Sequence, residues 1–459
     1  MSQILFGIML FLLLIGHASA SGGPFAWLPL PLAGQPWQIG VLSLLPVLVV
    51  GGWWLENKYQ QISQIEKIGK QSDKSAKSLI KNGPRWRGED TGHSQSALSW
   101  GETAVTFPLT LFSLLILLRL TAETAHLAAM VGLVWFVYLF LVNHRQWQRD
   151  WQWRVLAAAL LVQGAVAVSQ FLLQREIGLA WLGEPTLDLL VEGTSVAQRG
   201  GQNWLRAYGL NSHPNQLGLL LMALCLLIWP YREQVRGGWR WLFWLGLAAG
   251  LAGLLVSLSR TAWAGLLLGG LVFAAHHRRT GPIVRRELAI PLAILVAGVL
   301  LFALAYGDVL AGRLLALDSP LESRSLWERQ RDWSLAWQVW GERPFLGVGP
   351  GQYLTAASAI NPEAALVHNV PLLVAAELGL VGLAAWLWFW LGPLWRYGRS
   401  AKNAGATAVW LALILFSLVH PEPSLTLPKG AILWSLAAAH WPSPVNPVTR
   451  SPFQSGSQL

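Results

Sequence analysis

Cysteine is almost absent from this chain of 459 residues, and charged residues are scarce. The single cysteine, Cys225, lies inside an apolar run, which excludes an intramolecular disulfide bond and a thiolate metal site. Charged residues make up 12% of the chain and hydrophobic residues 54%, so there is no room for a large soluble domain. The spacing of His, Asp and Glu is not typical of a metal site, and we expect neither a metal ion nor another cofactor.

Long apolar runs dominate the chain instead. A helix of about 20 apolar residues crosses the ~30 Å hydrocarbon core of a bilayer. The runs therefore predict an all-α, multi-pass membrane protein with about twelve transmembrane helices, at 3–20, 37–55, 98–119, 123–143, 155–173, 214–230, 241–259, 261–276, 288–306, 369–392, 405–420 and 427–441. No positive side chain precedes the first run, so we expect an uncleaved helix there rather than a signal peptide.

The net charge of +10 comes from Lys and Arg dispersed among short connections, which argues against a nucleic-acid surface. Every second connection is basic, namely 56–97, 144–154, 231–240, 277–287 and 393–404. The positive-inside rule places all of these connections, and both termini, on the cytoplasmic side. The outer connections are then 21–36, 120–123, 174–213, 259–261, 307–368 and 421–426.

Composition divides the chain into three parts. Residues 1–200 are expected to form N-terminal membrane helices with a disordered, Lys-rich cytoplasmic loop at 56–97, because that loop lacks apolar periodicity. Residues 201–441 form a second membrane domain that includes the long outer loop 307–368. Residues 442–459 form a Pro- and Ser-rich tail that we also expect to be disordered.

The outer loop is predicted to contain an amphipathic helix. Leu326, Trp333, Trp337 and Trp340 fall on one helical face, and charged residues fall on the others. This pattern is typical of a helix that lies in the membrane interface with its apolar side down. Pro344 is expected to end the helix, and the Gly-rich segment 347–351 lacks the Lys-Ser/Thr of a phosphate-binding loop, which favours a simple turn.

Three polar clusters interrupt the apolar pattern at helix ends that this topology places outside. They contribute Arg206, Arg260 and His368. A guanidinium matches phosphate oxygens in bidentate geometry, and a neutral imidazole accepts a proton from a hydroxyl near neutral pH. Each residue alone has a simpler interpretation, as a headgroup contact or a helix cap. Their convergence on one face favours a site for a lipid-linked pyrophosphate with His368 as general base.

Five further residues are candidates for supporting roles: His213, Asn215, Arg324, Asn369 and Glu377. Pro214, between the first two, takes the preferred first-turn position of a helix, which favours a structural role there. The arginines of the outer loop are expected to be mostly balanced by nearby acids, and Arg324 is also a candidate cation for an anion site; they are Arg313, Arg324, Arg329, Arg331 and Arg343. Glu377 lies inside an apolar helix and needs a polar partner, which favours a structural role.

A last polar group lies at the turn between the third and fourth runs. Arg119, Glu123 and His126 are close together in the sequence there. Opposite charges within one turn predict a local ion pair. We therefore expect a structural contact at this turn.

The order and spacing of these residues resemble the O-antigen ligase and polymerase superfamily of bacterial envelope glycan enzymes. The resemblance extends over about 200–395, and the first 200 residues are similar only in being membrane helices. Each motif alone is weak, and their order and placement together are fairly specific. The matching residues are Arg206, Gly209, His213, Pro214 and Asn215, then Ser257, Ser259 and Arg260, then Arg324 and Trp327, then Pro344, Gly347, Val348 and Gly349, and finally His368, Asn369, Glu377, Gly379 and Gly382.

The resemblance implies a C-type glycosyltransferase architecture in the bacterial cytoplasmic (inner) membrane. It implies metal-independent transfer of an undecaprenyl-pyrophosphate-linked glycan to an acceptor hydroxyl at the outer face, with Arg206 and Arg260 holding the pyrophosphate and His368 as base. The acceptor stays open between a lipid A core sugar in lipopolysaccharide biosynthesis (ligase), the growing glycan (polymerase) and a protein Ser or Thr (O-oligosaccharyltransferase). Some members of the superfamily are assigned to the transport of inorganic carbon, which is the alternative function outside the transferases. A transporter predicts polar or broken helices near the membrane midplane.

Overall fold

The computed structural model describes residues 2–15, 27–32, 35–40, 103–189, 193–199, 202–277, 283–315 and 320–441. The main helices within these ranges are α1 (Ser2–Ile15), α2 (Thr103–Leu117), α3 (His126–Asn143), α4 (Trp153–Leu173), α5 (Pro214–Ile228), α6 (Arg240–Val256), α7 (Arg260–His277), α8 (Ile283–Leu315), α9 (Pro320–Glu342), α10 (Tyr353–Ile360), α11 (Val370–Tyr397), α12 (Ala404–Ser417) and α13 (Pro428–Ala438). Short helical turns occupy Arg145–Trp147, Gln148–Gln152, Ala180–Leu182, Trp229–Glu233, Gly237–Trp239 and Ala401–Asn403. Two antiparallel hairpins pair β1 (Trp27–Leu32) with β2 (Gln35–Gly40) and β3 (Val196–Arg199) with β4 (Gln202–Leu205).

Six helical stretches in the described ranges are long and apolar enough to cross a membrane: His126–Asn143, Arg145–Leu173, Pro214–Glu233, Gly237–Val256, Val296–Leu314 and Val370–Tyr397. Two shorter apolar helices, Ala104–Leu117 and Ala401–Ser417, accompany them. The chain is therefore a mostly helical, multi-pass membrane protein, as the apolar runs predict. The total of twelve spans stays a prediction.

Two predicted boundaries are wrong. The run expected from residue 37 begins as a strand, because Gln35–Gly40 pairs with β1, and the rest of that run lies outside the described residues. Helix α8 does not end at Tyr306 but kinks there (φ −136°, ψ 34°) and continues to Leu315, so the outer connection 307–368 starts as a helix. The Tyr306 ring packs on Phe171 of α4 at a centroid distance of 5.0 Å. The loop 56–97 and the tail 442–459 lie outside the described residues.

Helix α5 is the centre of the bundle. Nearly all of its residues are buried, and α4, α6, α7 and α12 pack around it. Helices α4 and α6 touch at backbone distance because glycines face their contact. A Cβ atom at Gly164 would overlap the carbonyl of Ala249, and one at Gly246 would overlap the carbonyl of Ala157. Small residues at such contacts let membrane helices pack closely.

The helix ends fall into two groups. At one end, which we call the polar end, the beginnings of α5, α7 and α11 meet the ends of α6, α8 and α12. Arg313 Nε, near the end of α8, donates to the carbonyl of Leu258 between α6 and α7 (3.0 Å). The Asn369 amide, at the start of α11, donates to the carbonyl of Leu418 at the end of α12 (2.9 Å). All three sequence clusters that carry Arg206, Arg260 and His368 lie at this end.

The basic connections lie at the opposite end. His276, at the end of α7, hydrogen-bonds the carbonyl of Gly398 just after α11 (2.8 Å). Arg145, after α3, donates to the carbonyl of Ala439 just after α13 (2.5 Å). The structure thus separates the Lys- and Arg-rich connections that it describes from the polar end, which is the segregation that the alternating loops predict.

Helix α11 is interrupted near the polar end. Gly379 has a left-handed backbone (φ 66°, ψ −164°), and no Cβ fits there because it would overlap the carbonyl of Phe345. The Gly-rich segment fills the gap in the hydrogen bonding. Leu380 N–H donates to the carbonyl of Pro344, and Gly349 N–H donates to the carbonyl of Glu377 (both 2.9 Å). The segment 347–351 is therefore joined to the broken helix rather than being only a turn.

The break divides the apolar stretch Val370–Tyr397 unequally. The stretch 380–397 after the break extends about 27 Å as a helix, at about 1.5 Å per residue. That length nearly covers the ~30 Å hydrocarbon core. The preceding stretch 370–378 extends about 14 Å, so the break lies nearer to the polar end than to the opposite end of α11.

Helix α9 occupies the place of the predicted amphipathic helix and ends two residues before Pro344. Its tryptophan face is exposed, with Trp327 59% and Trp337 56% accessible. The opposite face is buried against the first turns of α11, through Ala336 and Val339. Helix α9 therefore covers the start of α11 and presents an apolar face outwards, as expected for a helix that contacts the membrane interface.

Candidate active site

Arg206 is buried where the chain leaves β4 and approaches α5. Its Nε donates to the carbonyl of Ser257 at the end of α6 (3.1 Å). Its Nη2 donates to Oδ1 of Asn215 in the first turn of α5 (2.9 Å). Both acceptors are neutral, so these two contacts orient the guanidinium without cancelling its charge.

Arg260 is the first residue of α7 and is half-buried. Its Nη1 lies 3.4 Å from the carbonyl of Arg313, on α8. The preceding Leu258 is fully buried in a left-handed conformation (φ 52°), which is costly for a residue with a side chain and is typical of functional sites. This turn directs the carbonyl of Ser257 towards Arg206 and starts α7 at Arg260. The Ser-x-Ser-Arg turn therefore joins the two arginines.

His368 lies directly before α11 and is 31% exposed. Its Nδ1 is buried and has no hydrogen-bond partner among the described residues, and the nearest acidic atom is Oδ2 of Asp332 on α9, at 4.0 Å. Burial lowers the pKa of His368, and the nearby Arg329 lowers it further, against the opposing effect of Asp332 and Glu328. The imidazole is therefore neutral at neutral pH and is able to accept a proton.

His213 and Asn215 fix the start of α5. Nδ1 of His213 accepts the backbone N–H of Asn215 (3.1 Å), so Nε2 carries the proton and donates to Oγ of Ser195 (3.1 Å). Burial, together with the charge of Arg206 and the proximity of His368, lowers the pKa of His213 to about 3. His213 is thus a neutral cap, and Asn215 is the residue that contacts Arg206.

Asn369 and Glu377 hold the framework of α11. The side-chain oxygen of Asn369 accepts the N–H of Leu372 (2.8 Å) and caps the helix. The Glu377 side chain is buried and accepts hydrogen bonds from the backbone of Gly351 and Tyr353. Glu377 thereby attaches the beginning of α10 to α11, which supports the structural interpretation.

Arg324 and Arg329 differ in position. Arg324 is exposed, and its Nε pairs with Oε1 of Glu328 one turn further along α9 (2.9 Å). Arg329, which is expected to be balanced by nearby acids, lies beside the histidines of the polar end. Its charge lowers the pKa values of His213, His368 and His420. Of the outer-loop cations, Arg329 thus acts on the histidines of the polar end and Arg313 contacts the turn that starts α7, whereas Arg324 pairs with Glu328.

The ion pair predicted between α2 and α3 is replaced by other contacts. Arg119 donates to the carbonyl groups of Leu346, Gly347 (3.0 Å) and Glu377 (3.3 Å). The carboxylate of Glu123 instead accepts from the side chain of Gln352 (3.3 Å). The reason is the break in α11, which leaves backbone carbonyls in need of donors, and Arg119 supplies several from one group.

A second histidine with an acidic neighbour lies at the polar end and was not predicted from the sequence. His420 is buried after α12, with Nε2 3.2 Å from Oγ1 of Thr261 and Nδ1 3.8 Å from Oε2 of Glu422. Its ring centroid lies 6.2 Å from that of His368. Burial lowers the pKa of His420 far below its ordinary value and raises the pKa of Glu422 to about 7. The sequence feature that could have indicated this histidine is the His-Pro-Glu run at 420–422, which is similar to the His-Pro-Asn run before α5.

Asp332 was also missed. It was assigned to the charged side of the amphipathic helix, but it is 1% exposed and faces His368. Its Oδ1 accepts from the guanidinium of Arg331 (3.1 and 3.2 Å). Asp332 shares the spacing i, i+4, i+7 with the buried Ala336 and Val339, and this period would have placed it on the packed face.

An apolar groove of about 530 Å³ runs along the bundle. Its walls come from α5, α6, α7 and α8, and include Trp263 near Arg260, Leu314 next to Arg313, and Ala274 at the far end. From Trp263 to Ala274 helix α7 rises about 16 Å, at about 1.5 Å per residue. Leu267 and Leu271 on its rim are more than half exposed, so the groove opens to the side of the bundle.

The polar end thus combines oriented guanidinium groups with neutral imidazoles, and an apolar groove runs along the same bundle. Guanidinium groups bind phosphate oxygens, and a neutral imidazole accepts a proton from a hydroxyl. Among the residues that the structure describes, no group of three or more His, Cys, Asp or Glu is placed to hold a metal ion.

Residues 245–387 match the family described as O-Antigen ligase. This match confirms the resemblance to the O-antigen ligase superfamily. It covers most of α6 through the middle of α11, and with them Arg260, Asp332 and His368, whereas Arg206 and His213 precede it. No curated protein matches the chain. The family supports a glycosyltransferase of the ligase or polymerase type that acts on a lipid-linked glycan in the membrane.

Proposed function

We propose that the protein transfers a glycan from undecaprenyl pyrophosphate to an acceptor hydroxyl at the outer face of the bacterial inner membrane. The observation that carries this proposal is the geometry of the polar end. One turn joins Arg206 to Arg260, His368 precedes α11 at the same end of the bundle, and an apolar groove with Trp263 and Leu314 in its walls opens between α7 and α8. A lipid pyrophosphate has the two chemical parts, an anionic head and a long apolar chain, that this arrangement fits.

The groove supports a donor that remains in the membrane. In the proposal, the isoprenoid chain enters from the side of the bundle between α7 and α8 and lies along Leu267 and Leu271. The pyrophosphate then reaches Arg260 at the beginning of α7 and Arg206 behind the Ser257 turn. A water-soluble sugar nucleotide would not need an apolar groove next to its phosphate site.

The arginines would act mainly on the leaving group. Cleavage of the bond between the anomeric carbon and the pyrophosphate oxygen places negative charge on that oxygen. Guanidinium groups that protein contacts already orient stabilise this charge without reorganisation. Removing one such donor typically lowers the rate by about 10²–10³. The arginines thereby take the role that a metal ion has in many phosphate sites, which is the basis for proposing metal independence.

His368 would take the proton of the acceptor hydroxyl as the new glycosidic bond forms. Its neutral imidazole is half-exposed, whereas His213 and His420 have both ring nitrogens directed at protein groups. A general base contributes about 10²–10⁴ to the rate. In-line displacement of the pyrophosphate by the hydroxyl would invert the anomeric centre.

The orientation of the protein in the membrane follows from the separation of the basic connections from the polar end. If the basic connections at the opposite end are cytoplasmic, as the positive-inside rule requires, the polar end faces outwards.

The three acceptors, a lipid core sugar, a growing glycan and a protein Ser or Thr, each present a hydroxyl to the same base.

The experiment is glycan transfer by the purified, membrane-reconstituted protein from an undecaprenyl-pyrophosphate glycan to each acceptor in turn. We expect Arg206→Ala and Arg260→Ala to lose about 10²–10³ in rate and His368→Ala about 10²–10⁴. Arg149→Ala, an exposed arginine at the basic end, is the matched control and is expected to retain the wild-type rate. Full activity of all three site variants would overturn the site assignment. Absence of transfer to any acceptor, with bicarbonate uptake into vesicles, would favour the transporter.

A further inference from the structure

We propose that Asp332 is the positioning residue of His368, holding the proton of the imidazole on Nδ1 so that Nε2 is left to accept the proton of the acceptor hydroxyl. This inference rests on the proposed function, and it concerns a residue for which neither the motifs nor the family match gives a role. It makes His368 and Asp332 a base and its orienting carboxylate, in the arrangement by which many enzymes activate a nucleophile.

The geometry of His368 determines which of its two ring nitrogens faces Asp332. Nδ1 is the buried nitrogen and faces Oδ2 of Asp332 at 4.0 Å. The ring as a whole is 31% exposed, so its accessible edge lies away from Asp332. A movement of about 1 Å brings the pair to hydrogen-bond distance. Such contacts are often long in the absence of substrate and shorten in the reacting complex.

The geometry of Asp332 favours an oriented carboxylate. One oxygen, Oδ1, is held by Arg331 and lies 3.5 Å from the backbone nitrogen of Ala365. The other oxygen is thereby directed at His368. The Tyr353 hydroxyl donates to the backbone carbonyl of Asp332 (3.3 Å) and fixes this turn of α9 against α10. A surface carboxylate would have none of these constraints.

The charged and titratable groups around His368 come from three segments. Helix α9 contributes Asp332, Glu328 and Arg329, the chain after α12 contributes His420, and the chain before α5 contributes His213. Asp332 and Glu328 raise the pKa of His368, and Arg329 lowers it. Of the two acids, Asp332 is the buried one that faces Nδ1, so it is the group expected to stabilise the imidazolium as it forms.

The test compares Asp332→Asn with Glu363→Gln. Glu363 also pairs with Arg331 (3.1 Å) but is exposed, so its variant perturbs the same arginine without removing the carboxylate that faces His368. We expect Asp332→Asn to lower kcat/KM by about 10–100-fold, as loss of an orienting partner typically does. The rising limb of its pH–rate profile should move to lower pH, because the remaining imidazole loses a group that favours its charged form. Glu363→Gln should keep the wild-type rate and profile.

A second readout does not depend on glycan transfer. Diethyl pyrocarbonate modifies neutral imidazoles, and peptide mapping by mass spectrometry follows His368 alone as the pH is varied. The midpoint of modification should move to lower pH in Asp332→Asn and stay in place in Glu363→Gln. Asp332→Glu, which keeps the charge, should retain the wild-type midpoint and serves if the Asn variant does not fold.

The outcomes separate this inference from the proposed function. If the wild type transfers glycan and needs His368, but Asp332→Asn has the wild-type rate, profile and modification midpoint, the inference is wrong and the function stands. If the wild type transfers nothing, the proposed function fails, while the modification midpoint still reports whether Asp332 acts on His368. A rate loss in Asp332→Asn without any shift in pH dependence would show a packing effect and overturn the positioning role.

Discussion

Replacing Asn215 by Asp tests whether the site uses the charge of Arg206. Oδ1 of Asn215 accepts from this guanidinium at 2.9 Å, so an Asp side chain would place a carboxylate in the same contact. A pyrophosphate on the other side of the guanidinium would be about 8 Å from the new charge. At an effective dielectric constant of about 20, the repulsion between unit charges at that distance is about 2 kcal/mol. This corresponds to a loss of about 30-fold in kcat/KM for the donor.

The same substitution should not harm folding. An acidic residue in the first turn of a helix interacts favourably with the helix dipole, and a charged acceptor strengthens the contact with the guanidinium. The assay is glycan transfer at limiting donor concentration together with thermal unfolding of the purified variant. Gln216→Glu is the matched control, because it adds the same charge one residue away, where the side chain contacts Ser212 (2.8 Å) rather than Arg206. Wild-type kcat/KM in Asn215→Asp, or an equal loss in the control, would refute the reasoning.

Three further predictions concern stability. Gly164→Ala should destabilise the fold by about 1–3 kcal/mol because its Cβ overlaps the backbone of α6. The control Gly270→Ala, which lies in open space on α7, should be neutral or slightly stabilising. Equal unfolding temperatures of the two variants would contradict this prediction. Gly379→Ala should lower the unfolding temperature because its left-handed backbone and the carbonyl of Phe345 both exclude a Cβ, and an unchanged temperature would oppose this account of the break. Burial raises the pKa of Glu422 to about 7, so the folded protein retains a proton that the unfolded chain releases near pH 4.5. The free energy of unfolding should therefore fall by up to about 3 kcal/mol as the pH rises from 4.5 to about 7. Glu422→Gln should therefore stabilise the protein more at pH 8 than at pH 4.5, and an equal effect at both would contradict the assignment.

The helices and their polar ends were predictable because their determinants are local. An apolar run of sufficient length becomes a helix wherever it lies in a membrane, and α5 begins at Pro214 because proline suits the first turn. The alternation of basic connections predicted that Arg206, Arg260 and His368 share one end of the bundle, since each helix crossing reverses the chain. The structure brings their helix ends together at the polar end.

The residues that complete the candidate site were not predictable in this way, because their environment depends on distant parts of the chain. Asp332 is polar and lies next to Arg331, so local rules place it on the solvated side of α9. Only the packing of α9 on α11 buries it beside His368. Arg119 is similar, because its acceptors exist only after Gly379 interrupts α11 and the Gly-rich segment joins the break.

His420 and Glu422 show the limit of motif-based analysis. Their segment lies outside the family match and follows a short helix, and its sequence signal is the weak similarity of His-Pro-Glu to the His-Pro-Asn before α5. Burial changes their chemistry by lowering the pKa of one and raising that of the other. Such shifts arise from the tertiary environment and have no local sequence signal.

The most direct measurement of the central claim is a cryo-electron microscopy structure of the protein with an undecaprenyl-pyrophosphate-linked glycan. The account predicts the phosphates within hydrogen-bond distance of Arg206 and Arg260, the isoprenoid chain in the groove between α7 and α8, and His368 next to the anomeric carbon. Density for the pyrophosphate at any other place on the protein, or His368 on the side of the bundle away from the glycan, would contradict it.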